Sequence, residues 1–418
     1  MPSDVQGVLS VQGFSGALGD RAVTTGTGME VHCGLGWVPD RRVLRDAVRG
    51  LGLAPGSRVH VSVPASSSHA LLHGAIAELL AAGFEVRGSG PGPTGMDDPR
   101  AEAQAIRLAR DWTNASGGTL TPVAFAGVAR EVAHECGLSV DVWDRERLQR
   151  EECGAILAVG QGSMHEPCLI DIRYEPQDVR GTVALVGKGV TFDSGGLSLK
   201  SPSAMASMRM DKVGAATVLA VMSTLRELEI PLRVRGILPM AENMIGSKAV
   251  RPGDIVQGRA RIPITIVDTD FEGRVLMSDA LALASEEDPD CIIDLAALTY
   301  QVTLALGMDI AGLFSNDDVL SEELMEAAAS AGEGLWRLPL ARQYEDQVSL
   351  GDGVKNHPES DVGRAITAAL FLQRFVRPGI PWAHLDISGP AWSGPASGPG
   401  ATGFGVGTLL ALLRNRAG

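Results

Sequence analysis

The stretch "ITIVDTDFEGRVLMSDALALASEE" (264–287) passes from an apolar β-like run, through a knot of charges, into an apolar segment at helical spacing. Read as strand, turn and helix, it is one unit of an α/β fold. Asp268, Asp270 and Glu272 occupy alternate positions, with Arg274 two further on. If Ile264 to Asp270 is a strand, alternate side chains share a face. Three carboxylates then converge at or just past the strand's end, beside a guanidinium. Like charge gathered between apolar runs needs counter-charge.

Working outward, the same alternation recurs. "LIDIRYE", "TVALVGKGV", "VRGILPMAE", "CIIDLAAL", "DIAGLFSN" and "WAHLDISG" read as strands. "MASMRMDKVGAATVLAVMSTLRELE", "RVLMSDALALASEE" and "ITAALFLQRFV" read as helices between them. Strands alternating with helices predict an α/β domain with a mixed central sheet flanked by helices, over 151–418. Sites in such sheets gather at the carboxyl ends of strands. Upstream, "RVHVSVP" (58–64) predicts a strand and "HALLHGAIAELLAAG" (69–83) a helix. "GSGPGPTGMDDPR" (88–100) reads as a loop, and two helices and the strand "LSVDVWD" follow. This half is read as a small N-terminal α/β domain, 1–150.

Composition bounds the function. The chain has 418 residues, 45% hydrophobic and 21% charged, with a formal net charge of -14. That acidity gives the whole chain no affinity for nucleic acid or anionic membranes. Five scattered cysteines without a CxxC pair fit a reducing cytoplasm. The N-terminus has no secretory pattern, and no run approaches a membrane span.

A second polar knot lies in "VGKGVTFDSGGLSLKSPSAMASMRMDKVGAA" (186–216), with Lys188, Asp193, Lys200 and Asp211. GKG lacks the upstream glycine of a phosphate loop. Asp211 alone reads equally as a helix cap, and 268–272 alone as a solvated strand end. Together with Asp270 and Glu272 they make four carboxylates in apolar, glycine-rich sequence. Two divalent ions would balance that charge, and oxygen ligands with one nitrogen suit zinc or manganese. There is no HExxH and no GxSxG elbow. His384 is expected to be a hydrogen-bonded core residue and Cys291 a buried apolar one.

"VGKGVTFDSGGLSLK", "RMDKVGAATVL", "AENMIGSKAVRPGDI", "DTDFEGRVLMSDAL" and "WAHLDISGPAW…GATGFGVGTLLALL" resemble the leucyl aminopeptidase (cytosol aminopeptidase) family. The resemblance spans roughly 100–418, while 1–95 match poorly, as if the N-terminal module were shortened. It implies a cytoplasmic homo-oligomer, a hexamer in the family, acting on peptides or aminoacyl amides. Lys188, Asp193, Asp211 and Glu272 would hold the tighter metal, and Asp193, Asp270 and Glu272 the looser one. Lys188 would bind as a neutral amine, its pKa lowered by the metal and by burial. Lys200 would stabilise the oxyanion. Arg274 would hold bicarbonate as general base. Met208 and Thr299 would line the substrate pocket.

The chain departs from the family pattern at four places. Asp268 replaces an asparagine, Phe271 an alanine and Tyr300 a glycine, and "HPESDVGRAIT" (357–367) differs from a glycine-rich segment. These changes imply a reshaped substrate pocket. Asp268 is expected to favour substrates with an extra positive charge, and Tyr300 to narrow or cap the pocket. Two other readings stand beside the aminopeptidase: an amidase or dipeptidase on a restricted substrate, and a non-catalytic relative.

Overall fold

The structure, a computed structural model, describes residues 21–25, 29–34, 58–62, 69–88, 99–394 and 400–417. Its frame is a sheet of nine strands: β1 (Ser139–Trp143), β2 (Cys168–Tyr174), β3 (Thr182–Gly187), β4 (Gly189–Asp193), β5 (Arg233–Asn243), β6 (Cys291–Ala296), β7 (Ile310–Ser315), β8 (Gly334–Arg337) and β9 (Trp382–Asp386). Across the sheet they run β8-β7-β9-β6-β3-β5-β2-β1, with β4 beside β5. The centre is parallel: β5, β3, β6 and β9. Antiparallel partners flank it, with β7 on β9 and β2 on β5.

Central parallel strands are buried on both faces, which is why they read as unbroken apolar runs. Along β3, Val183 and Leu185 enter one core, while Ala184 and Val186 enter the other. Helix α1 (Val213–Met222) lies on the first face. Helices α2 (Glu272–Ser285) and α4 (Arg364–Gln373) lie on the second, and α3 (Tyr300–Leu306) follows β6.

The strand expected over Ile264–Asp270 stops early. Only Pro263–Thr265 is extended in a ladder, within a separate four-stranded sheet. Thr269–Phe271 is a 3-10 turn, and α2 begins at Glu272. Side-chain hydrogen bonds replace the ladder: Asp268 Oδ1 accepts from Asp270 N at 2.9 Å, and Asn356 Oδ1 from Val267 N at 2.8 Å. The carboxylates therefore converge through a capped turn, not through strand alternation.

The N-terminal strands 21–25, 29–34, 58–62 and 85–88 form their own sheet, with helix His69–Ala81 between the last two. The expected loop at 88–100 falls largely at 89–98, outside the described residues. The expected division at residue 150 is crossed by pairing. Trp143 of β1 registers with Leu169 of β2, and helix Pro99–Asn114 packs on α1. Residues 99–150 are thus joined to the larger sheet. No helix among the described residues is long and apolar enough to cross a membrane.

Close backbone contact sets the height of α1 on the sheet. Lys188 N donates to Leu295 O at 3.0 Å, and Ala215 N donates to Lys188 O at 2.9 Å. A Cβ on Gly214 would lie 2.2 Å from Leu295 O and 2.8 Å from Lys188 N. Gly214→Ala is expected to cost about 1–3 kcal/mol of unfolding free energy, as overpacking does. Gly118→Ala, whose added methyl meets nothing within 4 Å, should change it by under about 0.5 kcal/mol. Urea denaturation of both variants checks this.

Candidate metal centre

The parallel strands deliver their polar residues to one edge. Lys188 follows β3, Asp193 ends β4 and Asn243 ends β5. Asp211 sits in the 3-10 turn Met208–Lys212 ahead of α1, and makes no cap bond to it. Glu272 is the first residue of α2. Carboxylate oxygens of Asp193, Asp270 and Glu272 lie within 4.8 Å of one another. Asp193 is aimed by two donors, Gly195 N and Asn243 Nδ2, each 2.8 Å from its Oδ1. Gly195 and Gly196 make that turn with φ of +86° and +62°, where only glycine is unstrained.

Cations thread the cluster. Lys188 Nζ lies 2.6 Å from Asp211 Oδ1 and 3.1 Å from Glu272 Oε1. Lys200 Nζ lies 2.9 Å from Asp193 Oδ2 and also pairs with Asp270. Lys188 reaches its place because residue 273 is glycine; a Cβ there would lie 2.4 Å from Lys188 Cε.

Two ammonium groups do not balance four carboxylates, of which Asp193, Asp211 and Glu272 are buried and Asp270 half-buried. Burial, then the neighbouring carboxylates, push Asp270 up to about 7. Burial pushes Asp211 well above the usual carboxylate range, with Glu272 and Asp193 adding to the shift. Glu272 is raised by burial and Asp193. Burial opposes the charge on Lys188, but Asp211, Glu272 and Asp193 outweigh it and raise its pKa. That direction is opposite to the neutral amine expected of a ligand. Coordination by Lys188 therefore requires a metal that displaces its proton. Asp211 Oδ2 and Glu272 Oε2 are buried and accept no hydrogen bond. Unpartnered carboxylate oxygens, excess negative charge and clustered hard donors fit divalent cations.

A cavity of about 410 Å³ opens over this cluster, an ordinary size for a small-ligand site. Met208, Phe271, Thr299 and Tyr300 are among the residues that line it. Tyr300 is 68% exposed at the start of α3, which places it at the rim. Thr299 Oγ1 donates to Asp386 Oδ2 at 2.6 Å. Asp268 is not among the lining residues; its carboxylate caps the 269–271 turn.

Arg274 is buried in the cavity wall, and its Nη1 has no hydrogen-bond partner. Burial lowers its pKa to about 10, so it stays charged at neutral pH. A buried guanidinium with a free donor is suited to an anion.

Sequence reading missed Asn243, Asn356, Asp386 and Arg364. Asn243 and Asp386 end apolar strands, the signal that singled out Asp193. Asn356 Nδ2 donates to Asp268 O at 2.6 Å, a partnership no local pattern reveals. Arg364 lines the cavity from the N-terminus of α4, within the divergent 357–367 segment. His384, expected in the core, is buried, with Nδ1 2.6 Å from Asp294 Oδ1. Cys291 is buried.

Comparison with known proteins gives consistent matches. The cytosol aminopeptidase family, catalytic domain, matches residues 107–410. A probable cytosol aminopeptidase of Rhodopirellula baltica is 42% identical over 316 residues, covering 75% of this chain and 62% of the relative. One from Chlorobaculum tepidum is 44% identical over 311 residues, covering 73% and 62%. The chain thus spans less than two thirds of the length of these curated relatives. The bottromycin maturation enzyme BotP in complex with Mn superposes with a TM-score of 0.87 at 37% identity, covering 97% of this chain and 95% of that one.

Two outcomes follow from the geometry. Adding Mn²⁺ or Zn²⁺ to the metal-free protein should raise its melting temperature, since ligands of the native state stabilise it by mass action. Glu272→Gln should remove most of that rise in a thermal scan. Asn356→Ala should weaken Mn²⁺ binding by roughly 10-fold or more, as loss of a group that orients ligands does. Isothermal titration reads this directly.

Proposed function

The chain belongs to the cytosol aminopeptidase family, and from that premise we propose that it is a metal-dependent aminopeptidase hydrolysing the N-terminal peptide bond of peptides. The observation that carries this reading is the cluster of Asp193, Asp270 and Glu272, with Lys200 at its edge and unpartnered carboxylate oxygens beside it.

The metal assignment follows the family: Lys188, Asp193, Asp211 and Glu272 for the tighter ion, Asp193, Asp270 and Glu272 for the looser. Bound divalent ions supply Lewis-acid polarisation of the scissile carbonyl and an activated water. Lys200 lines the cavity beside the cluster and is assigned to the oxyanion, where a preorganised cation acts most strongly. Arg274, with its unpaired Nη1, would hold bicarbonate, whose chemistry there would be that of a general base. Met208, Thr299 and Tyr300 shape the space for the first side chain. Asp386 holds that wall by accepting from Thr299 and Ser388.

Manganese and zinc both suit the donor set, and the similar chain carrying Mn favours manganese. Assembly as a hexamer and residence in the cytosol rest on the family. The joined sheet supports a catalytic body beginning near residue 99, ahead of the division first expected at 150.

A second reading, a specialised peptidase or amidase with the same centre, has its own support. The superposing chain is a maturation enzyme, and Phe271, Tyr300 and Arg364 all line the cavity. Robust turnover of leucine amide favours the general enzyme. Selective turnover of one small peptide class favours the specialised one. In the metal-loaded protein, Lys200→Ala should lower kcat by roughly 100–1,000-fold, the scale of one lost oxyanion donor, with KM little changed. Steady-state kinetics on leucine amide, or on any peptide that turns over, checks this.

A further inference from the structure

Phe271 is the centre of a small cluster. Arg274 Cζ lies 4.8 Å and Arg364 Cζ 5.8 Å from the centroid of its ring. The His357 ring meets it edge-on at 4.4 Å between centroids. A cation held over an aromatic face is attracted by the ring's quadrupole, so Phe271 gives both guanidiniums a common support. Arg364 lines the cavity, while its ion pair is to Asp361, whose side chain is 89% exposed. Nη2 makes that pair and Nε donates to Ser360 O at 3.3 Å, which leaves Nη1, without a hydrogen-bond partner among the described residues, as the donor for a ligand. Two of the divergent features, Phe271 and the 357–367 segment, are therefore one arrangement: the ring seats the arginine that the segment supplies.

The cavity consequently has two poles. Asp193, Asp270 and Glu272 form the acidic pole. Arg274 and Arg364 form the basic one, across Phe271, which lies in sequence between Asp270 and Glu272. We propose that Arg364, seated on Phe271, is a specificity-determining residue that binds a carboxylate on the leaving portion of the substrate. The carboxylate is either the C-terminus of a dipeptide or an acidic side chain at the second residue. This rests on the aminopeptidase reading for the position of the scissile bond. It reverses the charge preference expected from Asp268.

The test uses the metal-loaded full chain and its Arg364→Ala and Phe271→Ala variants. Substrates are Leu-Gly, Leu-Gly-amide, Leu-Asp-amide and leucine p-nitroanilide. Arg364→Ala should raise KM roughly 10–100-fold for carboxylate-bearing substrates, the range of a lost charge-assisted hydrogen bond, and leave the others within about 3-fold. Loss confined to Leu-Gly assigns the C-terminus; loss confined to Leu-Asp-amide assigns the side chain. Phe271→Ala should reduce the same preference in part. An equal change across all four substrates overturns the proposal. Affinity for the non-cleavable reduced-amide isostere of Leu-Gly, against its carboxamide, is measured in parallel by titration. If nothing turns over, the hydrolytic reading falls, yet the acid-to-amide affinity ratio still judges Arg364. A ratio unchanged by Arg364→Ala overturns its role.

Discussion

Four carboxylates, three of them buried and Asp270 half-buried, meet at the floor of the cavity, and the chain supplies two ammonium groups to face them. Each uncompensated ion there costs several kcal/mol, and the raised pKa values of Asp211, Asp270 and Glu272 express that cost. Much of the surrounding structure serves this concentration of charge. Gly273 makes room for Lys188, Gly195 and Gly196 turn the chain so that Asp193 is hydrogen-bonded, and Asn356 clamps the 268–271 turn. The parallel strands matter because their carboxyl ends bring sequence-distant acids to one edge. A cluster that weakens the isolated fold in this way makes physical sense if cations stabilise it.

Much of the fold could be read from pattern. Unbroken apolar runs such as "TVALVG" became central parallel strands, and the α/β class followed from their alternation with helices. The alternation at 268, 270 and 272 was misleading in its mechanism. Its period suggested a strand, but Asp268 bonds the backbone two residues on, and short polar side chains of that kind compete with ladders. The membership of β1 in the large sheet was also hidden, because pairing between Ser139–Trp143 and Cys168–Tyr174 leaves no local mark.

The residues of the centre were legible because acids and lysines embedded in glycine-rich apolar sequence are anomalous. Residues that position them were less so. Asn243 and Asn356 act through hydrogen bonds to Asp193 and Asp268, 50 and 88 positions away. Arg364 looked like part of a divergent loop until the Phe271 ring appeared beneath it. The departures from the family pattern thus separate by location. Asp268 belongs to the turn, Tyr300 to the rim, and Phe271 with Arg364 to the wall.

Anomalous diffraction from crystals grown with manganese tests the central claim most directly. The expected result is two peaks about 3.5–4 Å apart, enclosed by Asp193, Asp211, Asp270 and Glu272, with Lys188 Nζ turned from its carboxylate partners onto one of them. Density for neither ion between these side chains, with Lys188 still paired to Asp211, would contradict it.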